Sequence, residues 1–483
     1  MPARTGKQYI DGLRERPPSL YMSGKKVQDP TKQPGLEGGI RTMARLYDLQ
    51  HDPAVGKEMT YQSPTTGDPV GLSFLTPKTH EDLDRRHQMM RNWARLTCGM
   101  MGRTPDFLNV SLMSMAAAGK YFGQNRPEFE KNIQNYYELV REKDLVLTPT
   151  LVNIQRNRSG AATALEDSLD VALSVVKETD EGIVVNGARV LATLPIADEI
   201  AVYPARSHRL PTGAPGRTSF AFAIPCDTPG LKFQCRESFD LQRSGFDHPL
   251  GSRFEEMDAL AFFDNVLVPW ERVFLLGDVD MCNNMSLSTH QYLHSGHQVV
   301  TKNVVKCEFV LGLANLMVKT LGSSEQPHVQ GMMAEIIENL EITKALLRAA
   351  EVDAELDEWG VMCPGDMQLM VARQMFIRIY PRMGEILHLL GSSSLMALPT
   401  EADFEGPLAD DITRYLETDF ASAKDRVRLF RLAWDTCCSA FGSRQILYER
   451  FFQGDRNRNV VLMNSRYDKE PMSQWVQEFL DQE

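Results

Sequence analysis

The chain has 483 residues, and 52 Lys and Arg against 64 Asp and Glu leave a formal net charge of −12. Binding to nucleic-acid phosphates or to an anionic membrane needs clustered Lys and Arg, so this acidic balance argues against both partners. Because a single hydrophobic core stops growing at about 250–300 residues, a globular chain of this length is expected to form two or three domains.

The sequence shows no targeting or disulfide pattern. The N-terminal segment MPARTGKQYIDGLRERPPSLYMSGKK is polar and interrupted by prolines, unlike a signal peptide or a transit helix. The most apolar stretch, around Leu311, is about ten residues long, whereas a membrane span needs about 20. The eight cysteines lack CxxC spacing and are expected to be buried thiols. We therefore expect a soluble, cytoplasmic protein.

Hydrophobic periodicity changes character along the chain. Apolar residues at helical spacing predict helices over 81–98 and 127–143, after an irregular start. Between 165 and 275, short runs bounded by Pro, Gly or Asp predict a compact β domain, in which the dipeptide Asn186-Gly187 predicts a hairpin turn. Long helices are predicted over 299–320, 328–356, 366–393 and 423–452.

These patterns predict three domains. Residues 1–145 are expected to be mainly helical, 146–280 to form the β domain, and 281–483 to form a helical bundle. Long helices with one apolar face commonly pack against each other and then against another subunit. The bundle is therefore also the part predicted to support oligomerisation.

Several common catalytic and cofactor motifs are missing from the sequence. There is no GxGxxG after a predicted strand, no GxxxxGK[ST], no HExxH and no GxSxG. A Rossmann nucleotide site, a P-loop, a zinc protease and a common serine hydrolase are therefore disfavoured. Any cofactor is expected to bind in a cleft of another kind.

The segment GMMGRTPDF, residues 99–107, contains the most suggestive local pattern. Thr104 suits a helix cap, Pro105 the first helical position and Asp106 the first turn. Arg103 then lies just outside a helix N-terminus, where an always-charged guanidinium could stabilise a flavin or substrate anion. From spacing alone, a turn between helices with a solvated Arg is the favoured interpretation.

Longer segments closely resemble the flavin-dependent 4-hydroxyphenylacetate 3-monooxygenase oxygenase family. They are RLTCGMMGRTPDF, GIVVNGARVLAT, DHPLGSRFEEMDALAFFDNVLVPWERVF and RLFRLAWDTCCSAFGSRQILYERFFQGD. The resemblance runs nearly end to end and implies an α+β, acyl-CoA dehydrogenase-like fold, usually assembled as a homotetramer. It also implies a two-component monooxygenase, in which a separate reductase supplies reduced FAD. In that family the reduced flavin reacts with O₂ to form a C4a-hydroperoxide, which hydroxylates an aromatic substrate.

The same resemblance implies positions for the site, with no metal. Flavin contacts are expected at Pro149, Thr150, Leu151, Gln155, Arg156, Asn157, Arg158, Thr193, Asp455, Arg456, Asn457 and Arg458. Substrate contacts are expected at Arg103, Phe107, Pro149, Ala205 and Arg206, and Arg103 is the expected catalytic residue.

Two substrate positions depart from the family pattern. The family reads GRxPDY and TTHALxNPQ, whereas this chain has Phe107 in place of the Tyr and Pro149 in place of the His. In the family, the Arg, Tyr and His of these motifs hold the substrate phenol. Phe and Pro have no side-chain hydrogen-bond donor, so two of these three polar contacts are missing here. The resemblance together with these departures predicts an aromatic substrate other than simple 4-hydroxyphenylacetate.

His290, His294 and His297 are spaced to share one helix face, as metal or cluster ligands sometimes do. Related dehydratases bind an iron–sulfur cluster through CxxxC and HxxxxxxC patterns. Here Gly102 follows Cys98 by four residues and Val304 follows His297 by seven, so that cluster is not predicted. Packing or a place in the site wall is favoured, with replacement of the missing base as an alternative.

Two other functions remain open from the sequence. A flavin enzyme of the same fold could perform N-hydroxylation, epoxidation or desaturation, since a pocket without the Tyr and His need not bind a phenol. A non-catalytic paralogue could bind flavin without turnover. The retained Arg103 favours catalysis.

Overall fold

A computed structural model describes residues 3–154, 171–204, 210, 214–452 and 456–482. Helices dominate both ends of the chain, and most strands lie between them. Within these ranges, none of the helices combines the length and the apolar character needed to span a bilayer.

The N-terminal part is helical almost from its first residue, so the expected irregular start is wrong. Its first helix begins after a capping box, in which the Thr5 hydroxyl accepts from the backbone N–H of Gln8 and the Gln8 side chain accepts from that of Thr5. The helices predicted over 81–98 and 127–143 are confirmed as α4 and α7. The elements of this part are α1 (Gly6–Glu15), β1 (Leu20–Met22), β2 (Lys25–Lys26), α2 (Glu37–Leu49), α3 (Gly56–Met59), β3 (Thr60–Gln62), β4 (Pro69–Gly71), α4 (His80–Leu96), α5 (Asp106–Ala117), α6 (Gly119–Gly123) and α7 (Pro127–Lys143).

The middle of the chain supplies two sheets. One has the strand order β2-β1-β11-β12-β8-β6 with β7 beside β8, and the other has the order β13-β10-β9-β5. Strand β1, from the N-terminal part, pairs in parallel with β11, so the first sheet draws on two parts of the sequence. The strands and the short helix among them are β5 (Leu147–Thr150), β6 (Val152–Asn153), β7 (Ser174–Glu178), β8 (Gly182–Thr193), β9 (Glu199–Val202), β10 (Phe220–Pro225), β11 (Leu231–Cys235), α8 (Gly251–Phe254), β12 (Asp258–Pro269) and β13 (Val273–Leu276).

The hairpin predicted at Asn186-Gly187 is wrong, because both residues lie inside the continuous strand β8. Strand β12 pairs along β8, with Phe263 opposite Gly187. A Cβ at Gly187 would lie 2.5 Å from the carbonyl oxygen of Ala172, and the backbone φ there is +127°. Glycine is required here by the close approach of a neighbouring segment and not by a turn.

The C-terminal part is a bundle of long helices, as the periodicity predicted. The single helix expected over 423–452 is instead two helices, because α15 ends at Cys437 and the Ser439 hydroxyl caps the next helix by accepting from Gly442 N–H. The elements are α9 (Val279–Ser288), α10 (Gln291–Thr320), α11 (Pro327–Val352), β14 (Glu355–Leu356), β15 (Met362–Cys363), α12 (Asp366–Gly391), α13 (Ser393–Met396), α14 (Ala409–Leu416), α15 (Ala423–Cys437), α16 (Ala440–Phe451), α17 (Arg456–Arg466) and α18 (Glu470–Leu480).

A buried ionic network joins the three parts of the chain. Glu256, next to β12, accepts from the backbone N–H of Arg103 at 2.7 Å and from Nη1 of Arg444 on α16 at 3.0 Å. Arg444 also donates through Nε and Nη2 to the carboxylate of Asp258, at 3.0 and 2.9 Å. Burial alone would raise the pKa of Asp258, but the neighbouring guanidinium groups hold it at about 2.

This network predicts a large stability difference between two arginine substitutions. Arg444→Met should lower the free energy of unfolding by about 3–5 kcal/mol, because it leaves buried carboxylates without their partner. The matched control Arg382→Met breaks half-exposed pairs with Glu335 and Glu385 and should cost about 1 kcal/mol or less. Urea unfolding of both variants measures the contrast, and equal losses would contradict it.

Candidate active site

A cavity of about 220 Å³ lies where α5, β5, α9, α10, α12 and α17 meet. Its wall combines aromatic and aliphatic side chains with eight polar or charged ones, among them Asp366 and Arg373. The lining residues are Arg103, Phe107, Leu108, Pro149, Leu151, Val152, Tyr203, Pro204, Met285, Ser286, Gln291, Tyr292, Leu293, Ser295, Asp366, Leu369, Met370, Arg373, Gln374, Phe451, Phe452, Asn459 and Leu462. This composition is typical of a site for a small organic ligand.

The turn before α5 carries Arg103 to the cavity. Helix α5 begins at Asp106, one residue later than expected, and Thr104 does not cap it but donates from its hydroxyl to Asp106 Oδ1 at 2.6 Å. Gly99 has φ of +67°, and a Cβ there would lie 2.8 Å from the backbone nitrogen of Lys306. The turn therefore packs tightly against α10, and this contact fixes the backbone position of Arg103.

The guanidinium of Arg103 lies among aromatic rings. Its Cζ is 4.1 Å from the ring centre of Phe107 and 4.9 Å from that of Phe452, and its Nη1 donates to the Tyr448 hydroxyl at 2.9 Å. Among the described residues, none of the carboxylates forms a salt bridge with this side chain. Ring faces attract a cation without neutralising it, so the positive charge remains available to an anionic ligand.

Three of the five predicted substrate positions meet in this cavity, namely Arg103, Phe107 and Pro149. Ala205 and Arg206 lie outside the described residues, although the preceding Tyr203 and Pro204 line the cavity. Phe107 places a ring, and no hydroxyl, against Arg103. The geometry thus places the two departures from the family pattern directly at the wall.

The predicted flavin positions are more scattered. Pro149 and Leu151 line the cavity, and between them Thr150 has a fully buried hydroxyl with no partner in the described part of the chain. Thr193 is not part of this wall, since its hydroxyl donates to Asp258 at 2.9 Å in the ionic network. Gln155, Arg156, Asn157, Arg158 and Asp455 are outside the described residues.

Helix α17 borders the cavity and starts with predicted flavin positions. Arg456, Asn457 and Arg458 form its exposed first turn, while Asn459 and Leu462 of the same helix line the wall. Guanidinium groups at a helix N-terminus suit a phosphate, because the backbone dipole and the side chains both favour an anion. Together with the unpartnered Thr150 hydroxyl, this turn fits a flavin nucleotide.

None of the three clustered histidines lines the cavity. His290 precedes α10 and contacts Glu358, His294 accepts from Arg86 at 2.8 Å, and His297 lies 3.0 Å from Glu351. Burial lowers the pKa of His297 to about 4, so this side chain is neutral at ordinary pH. The contacts are those of packing residues that connect helices.

The sequence patterns indicate no role for Tyr448 or Phe452, although both belong to the motif RQILYERFFQGD. Their rings stack with centres 4.6 Å apart and planes 4° apart. The signal available was an aromatic pair at helical spacing, and nothing in that signal connected it to Arg103.

Comparison with known proteins places the chain in a defined family. Sequence profiles of the 4-hydroxyphenylacetate 3-hydroxylase N-terminal and C-terminal regions match residues 5–275 and 282–481. The chain is 47% identical to a 4-hydroxyphenylacetate 3-monooxygenase oxygenase component of Thermus thermophilus, over 99% of this chain and 97% of that relative. It is 46% identical to that of a Geobacillus species, with the same coverage.

A solved structure shares the whole architecture. The oxygenase component of a 4-hydroxyphenylacetate 3-monooxygenase, complexed with FAD and 4-hydroxyphenylacetate, superposes with a TM-score of 0.95 at 46% identity, over 99% of this chain and 98% of that one. The fold is therefore acyl-CoA dehydrogenase-like and α+β, as the resemblance implied, and the relatives that share it are oxygenase components of monooxygenases, one of them solved with FAD. The chain belongs to the 4-hydroxyphenylacetate 3-hydroxylase family.

Asp106, beside the cavity, predicts a pH effect on stability. Burial raises its pKa to about 6 from an ordinary 3.8, although Thr104 and Gln298 donate to it. Because the folded state holds this proton more tightly, stability falls as pH rises from about 4 to 6 and stays reduced above that. Asp106→Asn, which keeps an acceptor oxygen, should remove a cost of up to about 3 kcal/mol at pH 7. Melting temperatures of both proteins from pH 4.5 to 7 should diverge, and parallel curves would contradict the assignment.

Proposed function

We propose that the chain is the oxygenase component of a two-component monooxygenase that hydroxylates an aromatic substrate, using O₂ and reduced FAD supplied by a separate reductase. The observation that carries this proposal is the cavity itself: a wall rich in apolar and aromatic side chains that includes the Arg103 guanidinium, with which no described carboxylate forms a salt bridge. The family membership and the fit of Thr150 and α17 to a flavin support it. A homotetramer is part of the same proposal.

Arg103 binds and orients the reacting ring in this proposal. A guanidinium beside the phenol oxygen favours the ionised phenol, which is the more reactive form of the ring. Phe107 and Phe452 hold the aromatic plane, and the apolar lining limits access of water to the reacting atoms. Thr150 and the first turn of α17 hold the flavin, which when bound supplies the activation of O₂.

We further propose a substrate other than simple 4-hydroxyphenylacetate. At the phenol end of the cavity, Phe107 and Pro149 offer no side-chain donor, which leaves Arg103 as the polar contact there among the predicted substrate positions. A phenol oxygen that loses two hydrogen bonds on leaving water binds less well, by about 1–3 kcal/mol for each group. An indole, an aniline or a bulkier phenol suits this wall better.

The role of Arg103 predicts a large catalytic effect. Arg103→Ala should reduce product formation by about 10²-fold or more, since it removes the charge that orients the ring. Lys should restore little, because it lacks the planar fork of donors. The fold should survive, because the contact to Glu256 comes from the backbone N–H of residue 103. Product per turnover, measured with a generic flavin reductase, tests this against the exposed control Arg95→Ala. A near-native yield of product from Arg103→Ala would contradict the proposed role of Arg103.

The two departures from the family pattern predict that a double variant gains activity on 4-hydroxyphenylacetate. The unmodified protein should turn over 4-hydroxyphenylacetate weakly, and the double change Phe107→Tyr with Pro149→His should increase that activity by restoring two donors. The increase is expected to be about tenfold or more, the worth of one hydrogen bond to a charged oxygen. Product analysis over a panel of phenols, indoles and anilines measures it. Efficient 4-hydroxyphenylacetate hydroxylation by the unmodified chain would overturn the substrate proposal.

A further inference from the structure

We propose that Tyr448 is a positioning residue, whose hydroxyl fixes the direction in which Arg103 presents its guanidinium to an anionic ligand. This inference rests on the proposed function, which makes Arg103 the anion-binding group of the cavity. Tyr448 lies on α16 and is not part of the cavity wall, so it acts through Arg103 and not on the ligand directly.

A hydrogen bond defines the contact between the two side chains. Nη1 of Arg103 donates to the Tyr448 hydroxyl at 2.9 Å, which leaves the other edge of the guanidinium for a ligand. Desolvation of this hydroxyl raises the pKa of Tyr448 well above its ordinary value, so it stays protonated and accepts through its oxygen. A guanidinium with one nitrogen held in place has far fewer orientations than one that contacts only ring faces.

Gly102 provides a second, independent sign that this contact is built into the chain. A Cβ at position 102 would lie 2.0 Å from the Tyr448 oxygen and 2.6 Å from its Cζ. No side chain fits there while Tyr448 keeps its place. The glycine before Arg103 is therefore explained by the tyrosine, since φ at this residue is not in the left-handed region.

Contacts with other side chains also hold the Tyr448 ring in place. It stacks on Phe452 with a separation of 4.6 Å between ring centres, and Phe452 lines the cavity and contacts Arg103. Nζ of Lys302 lies 5.6 Å from the Tyr448 ring centre, and Lys302 is itself paired with the buried Glu449. The ring is thus fixed by stacking and by a buried ion pair, which makes its hydroxyl a rigid reference point for Arg103.

Loss of the hydroxyl should change ligand selectivity more than overall binding. In Tyr448→Phe the stacked ring and the Arg103 charge both remain, and only the fixed direction of the guanidinium is lost. An anionic oxygen depends on that direction, because its bond to a guanidinium needs aligned donors. A neutral aromatic ligand depends on the walls and should bind as before.

The test compares 4-cyanophenol, at a pH where it is ionised, with its neutral methyl ether. Both are titrated calorimetrically into the full-length protein with reduced FAD under anaerobic conditions. Tyr448→Phe should weaken the phenolate by about tenfold, the worth of one hydrogen bond to a charged group, and leave the ether unchanged. The matched control Tyr380→Phe removes a hydroxyl that lies 3.9 Å from the Met100 sulfur, and it should change neither ligand.

Arg103→Ala separates the two proposals. If it fails to weaken the phenolate selectively, the anion-binding role of Arg103 is lost, and the proposed function with it. If it does weaken the phenolate while Tyr448→Phe binds like the native protein, the positioning role alone is overturned. Equal weakening of both ligands in Tyr448→Phe also overturns that role, since it would reflect general structural damage.

Gly102→Ala tests the same contact from the other side. The added methyl group should push the Tyr448 ring and its hydroxyl away from Arg103, and it should weaken the phenolate more than the ether. Combined with Tyr448→Phe, it should cause little further selective loss, because both changes remove one interaction. Fully additive losses would contradict the proposal. This variant also keeps the proposal testable if Tyr448→Phe does not fold.

Discussion

The structure depends on the buried carboxylate of Glu256. It receives the backbone N–H of Arg103 from the N-terminal part and the guanidinium of Arg444 from the bundle. In a low-dielectric interior a charge like this is costly unless its partners are all in place, so the three parts of the chain are held in one relative arrangement. The cavity forms at this junction, and none of the three parts contains it alone.

Local sequence patterns predicted the helices and strands well where interactions between residues close in sequence determine them. Helical periodicity located α4, α7 and the long helices of the bundle, because one apolar stripe is enough to specify a buried face. The Asn186-Gly187 signal failed because pairing with β12 and the approach of Ala172 outweigh a turn preference of two residues. The break before α16 is set by the Ser439 cap, a single side chain that the apolar periodicity over 423–452 does not reveal.

The site was predictable only in part, for a similar reason. A family motif located Arg103, Phe107 and Pro149, and the cavity brings the three together. The partner that orients Arg103 is 345 residues further along the chain, at Tyr448. Spacing along a sequence carries no information about such a contact. Gly102 reflects this contact only once the structure is known, since a glycine outside the left-handed φ region points to a close neighbour.

The environment of Arg103 explains what kind of selectivity this cavity has. Rings of Phe107 and Phe452 remove water from the guanidinium without neutralising it, whereas a carboxylate there would compete with the ligand. Because residues 107 and 149 offer no side-chain donor, the proposed function gives Arg103 the main part in holding a substrate oxygen at this end of the cavity. In that proposal the charge of Arg103 favours an ionised oxygen, while a neutral ring is held by the wall alone. The site then separates one ionised aromatic ring from another mainly by shape, which the apolar wall decides.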